Sequence, residues 1–190
     1  MKDWTTELPR IKELAKATRA LHVCCGKDKY EGAIGIDKNP QSSADVRHDL
    51  DVFPYPFGEN EFDAIICINA IEHLKDIIGT MKELHRISKP GGRIFISTAH
   101  FSDAGAYIDP THLHYLSARS FDYFIEGTSL HKEYGFYSEC RFKLIDRRLS
   151  LHRLFAFLEG PANRHVAFYE EVLCYFIRGR GIYLELEAIK

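Results

Sequence analysis

LHVCCGKDKYEGAIGID, residues 21–37, holds two short apolar runs with a glycine-bearing turn between them. It opens with a short apolar run through Cys24, with a turn at Gly26, and closes with a second that follows Gly32 and ends at Asp37. Apolar runs of this length bounded by glycines read as buried strands. Only eight residues, 25–32, separate them. A right-handed crossover between parallel strands usually takes about a dozen residues or more and includes a helix. Either that helix is reduced here to a turn, or one strand end lies elsewhere.

Outward from this stretch, helix and strand alternate through the first hundred residues. Pro9, Ile11, Leu14, Ala15 and Thr18 have helical spacing, with proline in the first turn. ADVRHD (44–49) is a third short extended piece ending near Asp49. EFDAIICI (61–68) is almost wholly apolar, as parallel strands covered on both faces are. Ile71, Leu74, Ile77, Ile78, Met81, Leu84 and Ile87 trace one face of a long helix, which KPGG (89–92) stops before the strand RIFISTA (93–99). The alternation argues for an α/β sheet with helices on both faces.

The second half differs in texture. HFSDAGAYIDPTHLHYLS (100–117) is polar, aromatic and irregular, and a short helix follows at about 120–126. RFKLIDRRLSL (141–151) reads as a strand. Pro161 opens a helix with the stripe His165, Tyr169, Val172, Leu173 and Phe176. In the final GIYLELEAIK (181–190), Ile182, Leu184 and Leu186 face the core while Tyr183, Glu185 and Glu187 face a wetter side. These two strands suit an antiparallel pair at the edge of a mostly parallel sheet. No repeat or linker interrupts residues 1–190, which read as one domain.

Composition limits the function classes. The 190 residues, 45% hydrophobic and 27% charged, are those of a globular chain with a large core. A net charge of −2 supplies no field to draw nucleic acid or an anionic membrane. The densest basic stretch, DRRLSLHR (146–153), reads as a solvated strand edge rather than an RNA track. The first ten residues lack the apolar centre of a signal peptide, and no apolar run approaches a membrane span. Five cysteines in no repeated pair spacing do not read as disulfides or a zinc site; four of them lie among apolar neighbours, where cysteine is a small hydrophobe, and a reducing compartment is expected. A cytoplasmic location is expected.

In open α/β sheets, ligands bind beyond the carboxyl ends of the strands. Gly26, Asp37, Asp49, Asn69 and His100 each end or follow a strand, in chain order. Glycine lets a backbone approach a ligand closely. A carboxylate ending the second strand can accept hydrogen bonds from both ribose hydroxyls of a nucleotide. Singly, Gly26 is also a plain turn and Asp37 also a cap before KNP. Together, the five strand ends point to a nucleotide-type ligand.

Three stretches carry a resemblance. LHVCCG…GAIGID, HDLDVFPYPFGENEFDAIICINAIEHL (48–74) and ELHRISKPGGRIFIS (83–97) look like class I S-adenosylmethionine-dependent methyltransferases of the type 11 group, covering about residues 21–99. The resemblance implies a Rossmann-like sheet, a cofactor half at about 1–99, a substrate and lid segment at about 100–135, and C-terminal strands and a helix at about 136–190. It implies S-adenosylmethionine as cofactor. Cys24, Cys25 and Gly26 would face its methionine part, and Asp37 its ribose with Lys38 beside the adenine. Asp49 and Leu50 would meet the adenine, with Asp51 a rival, and Asn69 and Ala70 would line the sulfonium side.

Two residues depart from the family's pattern. His22 stands where an acid usually props the loop, and Cys24 where the first glycine is usual. A positive φ at Cys24 would cost on the order of 1 kcal/mol, and its sulfur would crowd the ligand. The alternative to an enzyme is therefore a catalytically inactive protein of this fold acting as a binding or regulatory partner. A reactive thiolate at Cys24 or Cys25 would need a cationic neighbour; His22, on the same strand face as Cys24, is the nearest candidate.

His100, Asp109, His112 and His114 form the candidate acceptor site. Three roles stay open for these histidines: fixing the loop by hydrogen bonds, a general base at His100 or His112, or metal ligation. No fourth metal ligand is evident, so no metal is expected. Tyr115, Phe121, Tyr123 and Phe124 either close over a substrate or pack the core of a lid. The expected activity is methyl transfer to an O, N or S nucleophile on a small molecule, with alignment as the protein's main work.

Overall fold

A computed structural model describes residues 8–190. The reading of the first ten residues falls mainly on 1–7, outside the described residues. In chain order the main elements are α1 (Leu8–Ala17), β1 (Ala20–Val23), β2 (Ile34–Asp37), β3 (Val46–Arg47), β4 (Phe62–Ile68), α2 (Ile77–Ile87) and β5 (Ser88–Ala99). The single-turn α3 (Gly105–Ile108), α4 (Ser129–Tyr134), β6 (Arg141–Leu151), α5 (Glu159–Arg164), α6 (Val166–Phe168) and β7 (Gly179–Ile189) follow. No helix among the described residues is long and apolar enough to cross a membrane.

The strands form one sheet in the order β3-β2-β1-β4-β5-β7-β6. The first five run parallel, while β7 pairs antiparallel with both β5 and β6. This is the expected mostly parallel sheet with an antiparallel C-terminal pair. The crossover from β1 to β2 contains no helix: turns at residues 24–33 join two directly paired parallel strands. They close because Cys25 N–H donates to Ile36 O and Gly32, at φ +86°, passes against the α1 backbone, where a Cβ would lie 2.8 Å from Ala15 O.

Strand alternation divides the core between two faces. Leu21, Val23, Ile65, Cys67, Ile94, Ile96, Ile182 and Leu184 meet Met81, Leu84 and Ile87 of α2 on one side. Ala20, Ala64, Ile66, Phe95 and Tyr183 meet Ile11 and Ala15 of α1 on the other. A smaller cluster of Leu149, Leu151, Ala162, Tyr169 and Cys174 sits under the C-terminal segment.

Three expectations are corrected. The long helix over 71–87 is two pieces: a 3-10 turn at Ile71–His73 and α2, with Leu74 extended between them. Asp51 Oδ1 accepts from Lys75 N–H at 2.8 Å and Asp76 caps α2 at Gly79 N–H, so two carboxylates hold the break open. The helix at Pro161 begins earlier, at Glu159, and breaks at His165 before a π turn at Tyr169–Leu173. Of its stripe, Tyr169 is buried while Val172 and Phe176 are exposed.

The third correction concerns β7, an interior strand whose two faces are both covered. Tyr183 and Glu185, expected on a wetter face, are each 1% exposed beneath α1. Glu185 is tolerated there because Arg10 of α1 and Arg93 of β5 reach it at 2.8 and 3.1 Å. The arginine side chains are 53% and 34% exposed, so they rehydrate if Glu185 is lost, whereas Glu185 cannot if they are lost. Replacing both arginines by alanine is expected to cost about 3–5 kcal/mol and Glu185→Gln markedly less, measured by urea denaturation. Equal losses would contradict this asymmetry.

Candidate functional site

The carboxyl ends of β1, β2 and β4 make a rim, and the backbone beyond β1 and β4 turns through the left-handed region. Cys24 has φ +49°, Gly26 φ +52° and Asn69 φ +48°, all in the left-handed region that favours glycine. Asp37, the last residue of β2, ties this rim together. Its Oδ2 accepts from Gly26 N–H at 2.9 Å and its Oδ1 from Asn39 N–H at 2.7 Å. Each carboxylate oxygen keeps a further lone pair. A Cβ built on Gly26 meets nothing within 4 Å, so the space above this loop is open. An anchored acid with spare acceptor capacity beside open space fits the ribose of a nucleotide-type cofactor.

His22 does the propping in a different way from an acid. It is buried, its ring lies 4.6 Å from that of Tyr30, and its Nδ1 accepts from Tyr30 N–H at 3.2 Å. The imidazole therefore turns toward the loop and stays neutral. Burial drives its pKa down to about 4, with the Asp37 carboxylate opposing. In the unfolded chain it titrates near 6.5, so the two states bind protons alike above that pH. Between about 6.5 and 4 the unfolded chain binds a proton that the folded chain refuses, and stability falls as pH falls. The expected loss is about 3 kcal/mol, which His22→Gln flattens in denaturation curves taken across that range.

Cys24 packs against the main core, and its thiol pKa is pushed up to about 12, first by burial and then by the Asp37 carboxylate. That is the opposite of an activated thiolate. Cys25 is buried, and its thiol too is raised by burial. The geometry gives neither a reactive role. The positive φ at Cys24 is nonetheless present, so the backbone turn expected of glycine is made here by cysteine.

The two acids proposed for the adenine side part company. Asp51 is bound to Lys75 N–H, with an 11% exposed side chain. Asp49 is exposed, 3.6 Å from Lys38 Nζ, and accepts from Asp51 N–H. Leu50 between them is buried, and its carbonyl accepts from the Tyr55 hydroxyl. Asn69 is exposed at the end of β4, and Ala70 is buried behind it.

The structure disperses the histidines of 100–114. His100 is wholly buried: Nδ1 accepts from Ser102 N–H and contacts Ser102 Oγ at 2.8 Å, and Nε2 faces Glu170 Oε1 at 3.3 Å. It is shut off from an acceptor, contrary to the expectation of a base at this position. Burial pulls the Glu170 carboxyl up, but hydrogen bonds from His100, Ala118 and Ser117 outweigh it and hold it below the usual range. His114 Nε2 donates to Leu74 O at 2.9 Å. His112 is mostly buried, its side chain 10% exposed, with Nδ1 on Ala106 O at 2.9 Å and Nε2 4.0 Å from Asp109 Oδ2. Its ring stacks edge-on, at 4.7 Å, on that of His73. Glu72 and His73 were missed in the sequence because the 3-10 turn that aims them at His112 was hidden inside a helical pattern.

A methyltransferase domain family profile matches residues 9–172, most of the chain. The chain belongs to the methyltransferase domain family. A solved SAM-dependent methyltransferase of Archaeoglobus fulgidus superposes with a TM-score of 0.63 at 16% identity, covering 96% of this chain and 91% of that one. Among curated relatives, a demethylmenaquinone methyltransferase of Staphylococcus saprophyticus is 28% identical over 116 residues, 49% of each chain. A cycloartenol-C-24-methyltransferase of Arabidopsis thaliana is 30% identical over 84 residues, 43% of this chain and 25% of that one. This methyltransferase-family chain thus aligns with half the length or less of these curated relatives.

Proposed function

We propose that the chain transfers a methyl group from S-adenosylmethionine to an O, N or S nucleophile on a small molecule. The observation that carries this is Asp37, fixed by Gly26 N–H beneath open space at the strand ends of a methyltransferase-family sheet. The cofactor is S-adenosylmethionine, which supplies a methyl group already activated on a sulfonium. Asp37 would hold its ribose, Lys38, Asp49 and Leu50 its adenine, and Cys24, Cys25 and Gly26 its methionine part, with Asn69 and Ala70 toward the sulfonium. The strained left-handed turns at Cys24 and Asn69 keep these groups in place before the ligand arrives.

What remains for the chain is alignment of the acceptor and exclusion of water. The segment 109–114 lies against the 3-10 turn after β4, since Leu113 N–H and His114 N–H both donate to Glu72 O. Of the three histidines expected there, His100 is wholly buried and His114 Nε2 is spent on Leu74 O, whereas His112 Nε2 lies toward the exposed Asp109, which leaves His112 as the candidate base. Asp109 is exposed 4.0 Å from it and would meet the acceptor.

The test is incubation of reduced protein with methyl-labelled S-adenosylmethionine and sets of small hydroxyl, quinol, amine and thiol acceptors, read by mass spectrometry. Label transfer that Asp37→Ala abolishes supports the reading. Cofactor binding without transfer to any class would turn it toward the binding or regulatory partner.

A further inference from the structure

We propose that Glu72, His73 and His112 bind a divalent transition-metal ion at the carboxyl end of β4. One ligand atom from each lies within 4.8 Å of the others. Glu72 is 2% exposed, and its Oε2 is buried with no hydrogen-bond partner. A carboxylate oxygen in that position is costly unless something positive or protic meets it.

The tautomers of both imidazoles follow from their neighbours. The Thr111 hydroxyl gives its single hydrogen to Asp109 Oδ1 at 2.6 Å, so at 3.0 Å it can only accept from His73 Nδ1–H. Thr111 O, 3.3 Å from the same nitrogen, is likewise an acceptor. His112 Nδ1 faces Ala106 O at 2.9 Å and must also carry its hydrogen. Both rings therefore keep the Nε2 lone pair. An imidazole whose far N–H is held by a carbonyl or hydroxyl is oriented as metal ligands are, and its basicity is raised.

The two ligand-bearing segments are fastened together without the ion. Leu113 N–H and His114 N–H donate to Glu72 O at 2.8 and 3.3 Å, and His114 Nε2 donates to Leu74 O. At ligand distances of about 2.0–2.2 Å a tetrahedral set has its donors about 3.4 Å apart, so closure from 4.8 Å takes side-chain adjustment of about 1 Å. Two imidazoles and one carboxylate suit zinc, cobalt or iron(II) and leave at least one position open. Asp109, with a 47% exposed side chain 4.0 Å from His112 Nε2, stands as a further carboxylate on the outer side.

Asn69 and Ala70 immediately precede this turn. An oxygen of the acceptor, from a hydroxyl or carboxylate, fills the open position and is held at the sulfonium side of the cofactor site. His112 is then a ligand rather than a base. This role rests on the proposed methyl transfer; binding of the ion does not.

The experiment uses the full chain, reduced, stripped with a chelator and titrated with Zn²⁺ against a chromophoric competitor, and separately with Co²⁺. One equivalent is expected, with a visible Co²⁺ spectrum lacking a thiolate charge-transfer band. Thr111→Val, which loosens His73 without removing a ligand, should weaken binding about 10- to 100-fold. Glu72→Gln and His112→Ala should weaken it at least as much, while His165→Ala, on an exposed histidine elsewhere, should not. Circular dichroism melts establish that each variant folds. No stoichiometric uptake, or uptake indifferent to Glu72 and His112, overturns the site. Parallel titration with S-adenosylhomocysteine separates the two readings. Cofactor binding without metal uptake removes only this inference, and metal uptake without cofactor binding upholds the site.

Discussion

Asp37→Ala is expected to remove S-adenosylhomocysteine binding almost entirely. The carboxylate does two jobs at once: it pins Gly26 N–H and Asn39 N–H, and its remaining lone pairs face the position assigned to the ribose hydroxyls. Hydrogen bonds to a charged acceptor contribute about 1.5–3 kcal/mol each, so losing two from the ligand weakens affinity about 100-fold or more. Loosening of the rim at Gly26 adds to that loss. Asp37→Asn separates the effects, because it keeps a side-chain acceptor but gives up the charge; it should fall between wild type and alanine. Calorimetric titration measures all three. Unchanged affinity in Asp37→Ala would place the cofactor elsewhere.

Glu170→Ala should be the most damaging single substitution for stability outside the main core. Its side chain is 7% exposed and takes hydrogen bonds from His100 Nε2, Ser117 Oγ and Ala118 N–H at 3.3, 3.1 and 2.7 Å. His100 and Ala118 are both fully buried, so truncation leaves their donors unpaired without access to water. At about 1–3 kcal/mol for each stranded group, the loss is about 3–5 kcal/mol, or roughly 10 °C in melting temperature for a chain of this size. Because the carboxyl is held below its ordinary range, its contribution is present above the unfolded value and fades as pH falls through the folded one. Glu170→Gln should therefore flatten the stability profile on the acid side. A change in melting temperature of only a degree or two would show that the contacts are not maintained in solution.

The strands were legible because their signals are local. EFDAIICI and RIFISTA are apolar on both faces, and both faces are indeed covered. The missing first helix was legible as a shortage of residues between two strand patterns. What could not be read depends on partners distant in sequence. The break before α2 is held by Asp51, 24 residues from Lys75. Glu185 is buried because Arg10, 175 residues away, reaches it. His100 looked like a base because it follows a strand, and it is closed off by Glu170, 70 residues on.

The candidate site divides in the same manner. Gly26, Asp37, Asp49 and Asn69 are legible as candidates because strand ends converge in any sheet of this kind. Glu72 and His73 were in the quoted INAIEHL all along, but a helical pattern gave no reason to aim them at His112. Only the 3-10 turn and the hydrogen bonds from Leu113 and His114 bring them there. Cys24 in a left-handed turn is a local rule broken at the centre of the site, where such strain is usually stored.

The most direct measurement is an amide chemical-shift titration of the isotope-labelled, reduced protein with S-adenosylhomocysteine. The largest changes are expected at Gly26, Lys38, Leu50 and Ala70, beyond the ends of β1, β2, β3 and β4, with little change in β6 or α5. Saturating ligand with no shifts at these amides, or shifts concentrated in the C-terminal segment, would contradict it.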